Sequence, residues 1–168
     1  MQGATTSLPL QDREKPLPET LLQTLGEALG QLPPPTANAA DIPPTPGTYL
    51  LLIRLRAPLS LQGRFAGITL PAGWHVYAGS ARGPGGLRAR LGRHLARRKH
   101  RRWHVDQLTT VAETVRALPF PDTETAPAPG ECALAQALLS SGSFEAPVPG
   151  FGSSDCRACP AHLLRWNG

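Results

Sequence analysis

The sequence predicts a small α/β (α+β) domain in which three to four strands form a sheet flanked by helices. Three observations predict it. Four apolar or β-branched runs are separated by Gly/Pro-containing turns, the punctuation expected of strands. Leu87, Leu91 and Leu95 recur every four residues, the spacing of a helical stripe. The 168 residues suffice for one modest core, while 19 Pro and 17 Gly assign much of the chain to loop or linker.

In chain order, residues 1–45 read as a Pro/Ala-rich N-terminal tail, because QLPPPTANAADIPPTP has little to bury. Within it, ETLLQTLGEALG places Leu21, Leu22, Leu25 and Leu29 at helical spacing, with Gly26 weakening the helix. Such a helix either packs on the domain surface or is offered to a partner. The folded domain is assigned to residues 46–168. TYLLLIRLR reads as a buried strand, GRFAGITL as a second and WHVYAGS as a third, with turns at PAGW and RGPGG. A helix follows over 86–99, its leucine stripe flanked by Arg90, His94, Arg97, Arg98 and Arg101. WHVDQLTTVA reads as a short helix and ETVRALPF as a strand. A helix over 131–139 starts after Pro129-Gly130, with Glu131 in the first turn where a carboxylate suits the dipole. The segment GFGSSDCRACPAHLLRW reads as a compact loop. No internal repeat is visible.

Charge is distributed unevenly. Between Asp41 and Asp106 there is no carboxylate, yet that stretch holds 12 of the 17 Lys and Arg residues. With a net charge of +5, this favours a polyanionic partner. The N-terminus lacks the basic and apolar regions of a signal peptide, and no apolar run is long enough for a membrane span. Three cysteines, an odd number, do not suggest a disulfide framework. A cytoplasmic protein without membrane association is the expectation; oligomeric state is not legible.

Gly47-Thr48-Tyr49, Tyr77-Ala78-Gly79-Ser80 and Leu87-Arg88-Ala89-Arg90-Leu91-Gly92-Arg93-His94 together resemble the GIY-YIG nuclease superfamily. The longer set, YAGSARGPGGLRARLGRH with WHVD at 103–106, Glu131-Cys132 and FGSSDC, resembles a branch whose members also occur fused to endonuclease III-type glycosylases. The tripeptides alone are weak evidence; the ordered set is specific and covers roughly residues 46–165. Two features depart from the superfamily pattern. Thr48 stands where an aliphatic residue is usual, and the 27 residues between Tyr49 and Tyr77 exceed the usual spacing. GRFAGITL is expected to form an extra strand there.

The resemblance implies a mainly antiparallel sheet and a metal-dependent endonuclease acting on a nucleic-acid phosphodiester, with DNA as substrate. A non-catalytic nucleic-acid-binding module, or an accessory to a DNA-repair glycosylase, is the alternative. It implies Tyr77 as general base, with Tyr49 orienting water or phosphate. A phenol titrates near 10 and needs cationic neighbours to ionise near neutrality; the plainer reading of both is a tyrosine packed in the sheet. Arg90 follows the Tyr77-Ala78-Gly79 glycine by eleven residues, and its guanidinium fork suits a phosphate gaining charge. His94, one turn on, and His104 match positions near the phosphate; His75 and His100 have no matching context. Ser80, Arg82, Arg93, Arg97, Arg98, Lys99, Arg101 and Arg102 are candidates for sequence-blind contacts to the nucleic acid. Glu131 matches the position that would hold one Mg2+ or Mn2+, ahead of Asp106, Glu113, Asp122, Glu124, Glu145 and Asp155. Cys132, Cys156, Cys159 and His162 offer four ligands suited to zinc, but the usual paired-ligand pattern is missing. The expectation is therefore no zinc, with Cys132 packed in its helix and the tail closing over the core.

Overall fold

The structure, a computed structural model, describes residues 15–153 and 156–168. The first part of the expected tail, and Asp155 among the acidic candidates, lie outside the described residues. Among the described residues there are seven strands, β1 (Gly47–Leu55), β2 (Leu59–Ser60), β3 (Thr69–Leu70), β4 (Gly73–Ala81), β5 (Thr114–Pro121), β6 (Phe144–Glu145) and β7 (Leu163–Trp166), and four α-helices. The helices are α1 (Glu19–Leu29), α2 (Gly86–Leu95), α3 (Asp106–Thr109) and α4 (Glu131–Ser140).

The continuous apolar run of β1 is explained by what covers it. Every β1 residue except Arg54 is buried, and because strand side chains alternate, that requires cover on both faces. Tyr49, Leu51, Ile53 and Leu55 point into a cluster with Leu87 and Leu91 of α2 and Leu108 of α3. Leu50 and Leu52 point the other way, to Leu21 and Leu25 of α1 and Leu134, Ala135 and Leu138 of α4. Two helical layers therefore sandwich one sheet.

That sheet has five strands in the order β5-β1-β4-β7-β6, with every pairing antiparallel. β1 pairs β4 from Gly47↔Ala81 to Leu55↔Gly73 and pairs β5 on its other side. The expected sheet of three to four strands gains its last members from the C-terminus. The segment read as a loop contains β7, whose Leu163 and Leu164 are buried on opposite faces of the sheet.

Two further expectations change. GRFAGITL does not make a full strand: a 3-10 turn at Gly63–Phe65 precedes the two-residue β3, which pairs only with β2. Left-handed backbone at Gly63 (φ 66) and Gly67 (φ 90) breaks the extended run, while Phe65 turns into the core. α2 stops at Leu95 rather than near residue 99. Lys99 Nζ folds back to donate to the carbonyls of Arg93 (3.0 Å) and His94 (2.9 Å), groups that a helix end leaves unsatisfied. The tail from residue 15 onward lies against the domain. Lys15 reaches Glu113 (2.8 Å), α1 covers the sheet, and Thr36 exchanges backbone hydrogen bonds with Ala117 of the edge strand β5 (2.9 and 2.8 Å). Covering an edge in this way removes a template for unwanted pairing. Among the described residues no helix is long and apolar enough to cross a membrane.

His75, on β4, is wholly buried, and burial lowers its pKa to about 4, outweighing the opposing Gly73 backbone contact while Arg165 adds to the drop. Between the ordinary histidine range and 4 the unfolded chain binds this proton and the folded chain does not, so stability falls as pH falls across that window. His94, also lowered by burial, acts in the same sense. Urea titrations at about pH 7 and about pH 5 should show a loss on the order of 2 kcal/mol from His75 at the lower pH. His75→Gln should flatten the dependence.

Candidate functional site

Tyr49 and Tyr77 lie on the same face of adjacent strands. Tyr49 is registered opposite Gly79, and Leu51 opposite Tyr77. Glycine is required beside each ring: a Cβ at Gly79 would overlap the Tyr49 phenol, and one at Gly152 (φ 73) would come within 2.8 Å of Tyr77 Cε2. Burial pushes the Tyr77 phenol up to about 12, with Arg90 pulling it down and Glu131 and Asp106 pushing it further up. Burial also raises Tyr49, again against Arg90. Desolvation of the phenolate outweighs Arg90, so this guanidinium alone does not bring Tyr77 toward neutrality. Both phenols are proton donors at neutral pH.

Beneath this pair is a buried carboxylate. Asp106, 0% exposed, accepts from both terminal nitrogens of Arg93 (3.2 and 2.9 Å) and from the backbone N–H groups of Arg102 (2.7 Å) and Trp103 (3.0 Å). Burial alone would raise its pKa, but these partners and His94 hold it far below the carboxylate range. His94, 2% exposed, bonds through Nε2 to the Tyr49 hydroxyl (2.9 Å) and turns Nδ1 toward Asp106 Oδ1 at 3.7 Å. With the ring proton on Nδ1, toward the carboxylate, Nε2 accepts from the Tyr49 hydroxyl. His94 is therefore a buried link that orients Tyr49.

The Trp103 ring holds the arginines. The guanidinium carbons of Arg90 and Arg93 lie 4.5 and 4.4 Å from its centroid, within cation–π range. Arg90 is half-buried and its charge reaches both tyrosines. Trp103 and Arg102 form a ridge between two clefts. One, of about 500 Å³, has Tyr77, His104, Gln62 and Gln107 in its lining; the other, of about 230 Å³, has Arg90 and Arg93. His104 is exposed, with its ring edge-on to Phe65 (4.9 Å).

The remaining basic candidates divide into two groups. Arg97 donates to the carbonyls of Ala112 and Glu113, Lys99 to the end of α2, Arg93 to Asp106, and Arg82 is paired with Asp122. Those four charges help to hold loops in place. Arg98, Arg101 and Arg102 are exposed, and Ser80 is half-buried opposite Thr48.

Glu131 opens α4, half-buried, with its charge felt at Tyr49, Tyr77 and Arg82. Thr48, the departure from the aliphatic pattern, explains how it is positioned. The buried hydroxyl donates to the carbonyl of Pro129 (2.7 Å), two residues before Glu131.

The metal expectation is overturned. Cys132, Cys156, Cys159 and His162 come together with their four ligand atoms all within 4.8 Å of one another, a Cys3His set that could hold a metal with zinc-like coordination. It is the one such group of three or more among the described residues, and Glu131 is not in it. An assignment to Mg2+ or Mn2+ with idle cysteines is therefore corrected. Spacing concealed the cluster because its fourth ligand comes from α4, and the chain reversal that brings His162 in depends on strand β7.

The model of the family described as domain of unknown function DUF123 matches residues 48–168. The chain belongs to that family. No curated protein and no solved structure matches it. The DUF123 region contains every side chain described above as part of the site, from Thr48 to His162. Sequence reasoning missed Asp106 as the hub; the signal was present, since it is the first carboxylate after the acid-free basic stretch. It also missed Gln62 and Gln107, whose side chains gave no pattern.

Removing the Asp106 carboxylate leaves Arg93 and two backbone donors facing a void. Asp106→Ala should cost about 3–5 kcal/mol, the usual result of breaking a buried charged pair from one side. A lowered urea midpoint with an unchanged denaturant slope would show it.

Proposed function

We propose that this DUF123 domain hydrolyses a phosphodiester in nucleic acid, with DNA as the substrate class, in the manner of the GIY-YIG nucleases that its motifs resemble. The observation that carries the reading is the meeting of Arg90, Tyr77, Tyr49 and Glu131 in one electrostatic neighbourhood. It lies beside clefts rimmed by exposed Arg101 and Arg102.

In this reading a water oxygen attacks phosphorus and the bond to the leaving sugar oxygen breaks. Tyr77 stays protonated and orients the water or a phosphate oxygen by hydrogen bonding. The attacking water's proton then needs another acceptor. Asp106 is buried and committed, so the role falls to the Glu131 carboxylate. Arg90, pre-oriented by Trp103, meets the charge that grows on the phosphate oxygens, and solvent protonates the leaving oxygen. His94 acts through Tyr49, and His104, at the wall of the larger cleft, positions the substrate. Arg98, Arg101 and Arg102 contact the backbone without reading bases. A glycosylase partner of the endonuclease III type rests on the resemblance alone.

The test is incubation with supercoiled, nicked, branched and single-stranded DNA, with and without divalent salts. Arg90→Ala should lower kcat by roughly 10²–10³-fold while leaving the fold intact. Cleavage that persists at the wild-type rate in Arg90→Ala or Glu131→Ala refutes the scheme. No cleavage of any substrate, alongside tight binding, would favour a non-catalytic binding module.

Binding itself should weaken with salt. Replacing Arg98, Arg101 and Arg102 together by alanine should reduce the slope of log affinity against log salt by about 3, close to one unit per lost phosphate contact.

A further inference from the structure

We infer that Cys132, Cys156, Cys159 and His162 hold a single Zn2+ in a closed, four-ligand centre that clasps the start of α4 to the entry of β7. The proposed hydrolysis makes no use of these groups, and the argument for zinc stands on their geometry and chemistry alone.

Cys159 Sγ is the common vertex, 2.9 Å from Cys132 Sγ, 3.1 Å from Cys156 Sγ and 3.1 Å from His162 Nε2. Cys132 Sγ is also 3.2 Å from His162 Nε2. A disulfide would use two of the sulfurs and leave the third thiol and the imidazole crowded against it without a purpose. Four mutually close ligand atoms are instead what a tetrahedral shell needs. With Zn–S near 2.3 Å and Zn–N near 2.0–2.1 Å, its edges are about 3.5–3.8 Å, so seating an ion asks these close pairs to spread by about 0.3–0.9 Å. Thiolate and imidazole select zinc over hard cations such as Mg2+.

The ligands are also held from outside. The backbone of His162 is fixed on both sides: its N–H donates to Phe151 O (2.8 Å) and its carbonyl accepts from Ala78 N (2.9 Å). Gln136 of α4 donates to Ala158 O (3.0 Å), between the two loop cysteines. Cys159 and His162 are buried. With four protein ligands no position is left open for substrate, which makes the centre structural. Two ligand-bearing segments far apart in sequence would thereby be joined. If the proposed function holds, the residue before Cys132 is Glu131, and the same clasp fixes that carboxylate.

The experiment uses the full chain, purified without a metal-affinity tag from zinc-supplemented cells. Metal analysis should find one zinc per chain, and the thiols should resist a thiol reagent until a strong chelator is added. Chelation should lower the melting temperature, and Co2+ added to the stripped protein should give the charge-transfer and d–d bands of a tetrahedral thiolate site. Cys132→Ala and His162→Ala should lose the metal, whereas His162→Cys should keep it. The Co2+ spectrum of the unaltered chain decides the matter even where a variant fails to fold. Zinc-free protein with three reactive thiols, a disulfide seen as the loss of two hydrogens in mass, or full zinc retention in His162→Ala would each overturn the proposal. Loss of DNA cleavage with zinc retained would bear on the hydrolase reading alone.

Discussion

Asp106 is withdrawn from water, yet it faces Arg93, lies within 3.9 Å of Lys99 Nζ and takes backbone donors from the Arg102-Trp103 turn. The chain around it is overwhelmingly cationic, and like charges brought this close would spread apart in the absence of a counter-charge. One carboxylate therefore folds the basic segment back on itself. From that fold follow the position of Trp103, the stacking of Arg90 on its face and the chain of contacts through His94 to Tyr49. The site depends on an ion pair whose carboxylate is buried out of reach of solvent.

The sheet contributes a second constraint, since its central strand is enclosed by helices on both faces and has little freedom to shift. Sliding β1 by one residue against its neighbours would exchange the residues under α2 with those under α4. Tyr49 would leave its glycine and lose His94. Register, tyrosine geometry and the two-sided core are thus one property, fixed by alternation along nine residues.

Much of this was legible in the sequence and some was not, for identifiable reasons. β1, β4, β5, α2 and α4 announce themselves because each carries a full period of its pattern. Helix α1 is visible from Leu21 and Leu25 as a helix for the domain surface, but the entry of Ile42 into the core is not, because the Pro-rich segment around it reads as linker. β7 was hidden because Leu163 and Leu164 are adjacent and give no alternation. Arg90, Tyr77 and Glu131 could be singled out by spacing, whereas the state of Tyr77 could not, since desolvation is a property of the packed fold. The cysteine cluster was discounted for its irregular spacing, and a ligand set drawn from a helix start and a strand entry has no reason to be regular.

The long excursion between the two tyrosine strands is more than tolerated extra length. It brings Gln62 and Gly63 into the lining of the larger cleft together with Arg101, Arg102 and Trp103, with Gln62 accepting from Arg101 (3.4 Å), and stacks Phe65 on Phe151 (5.1 Å). Chain length between β1 and β4 is thereby converted into part of the lining of the cleft that holds Tyr77. The insertion encloses the phenol instead of leading the chain away from it.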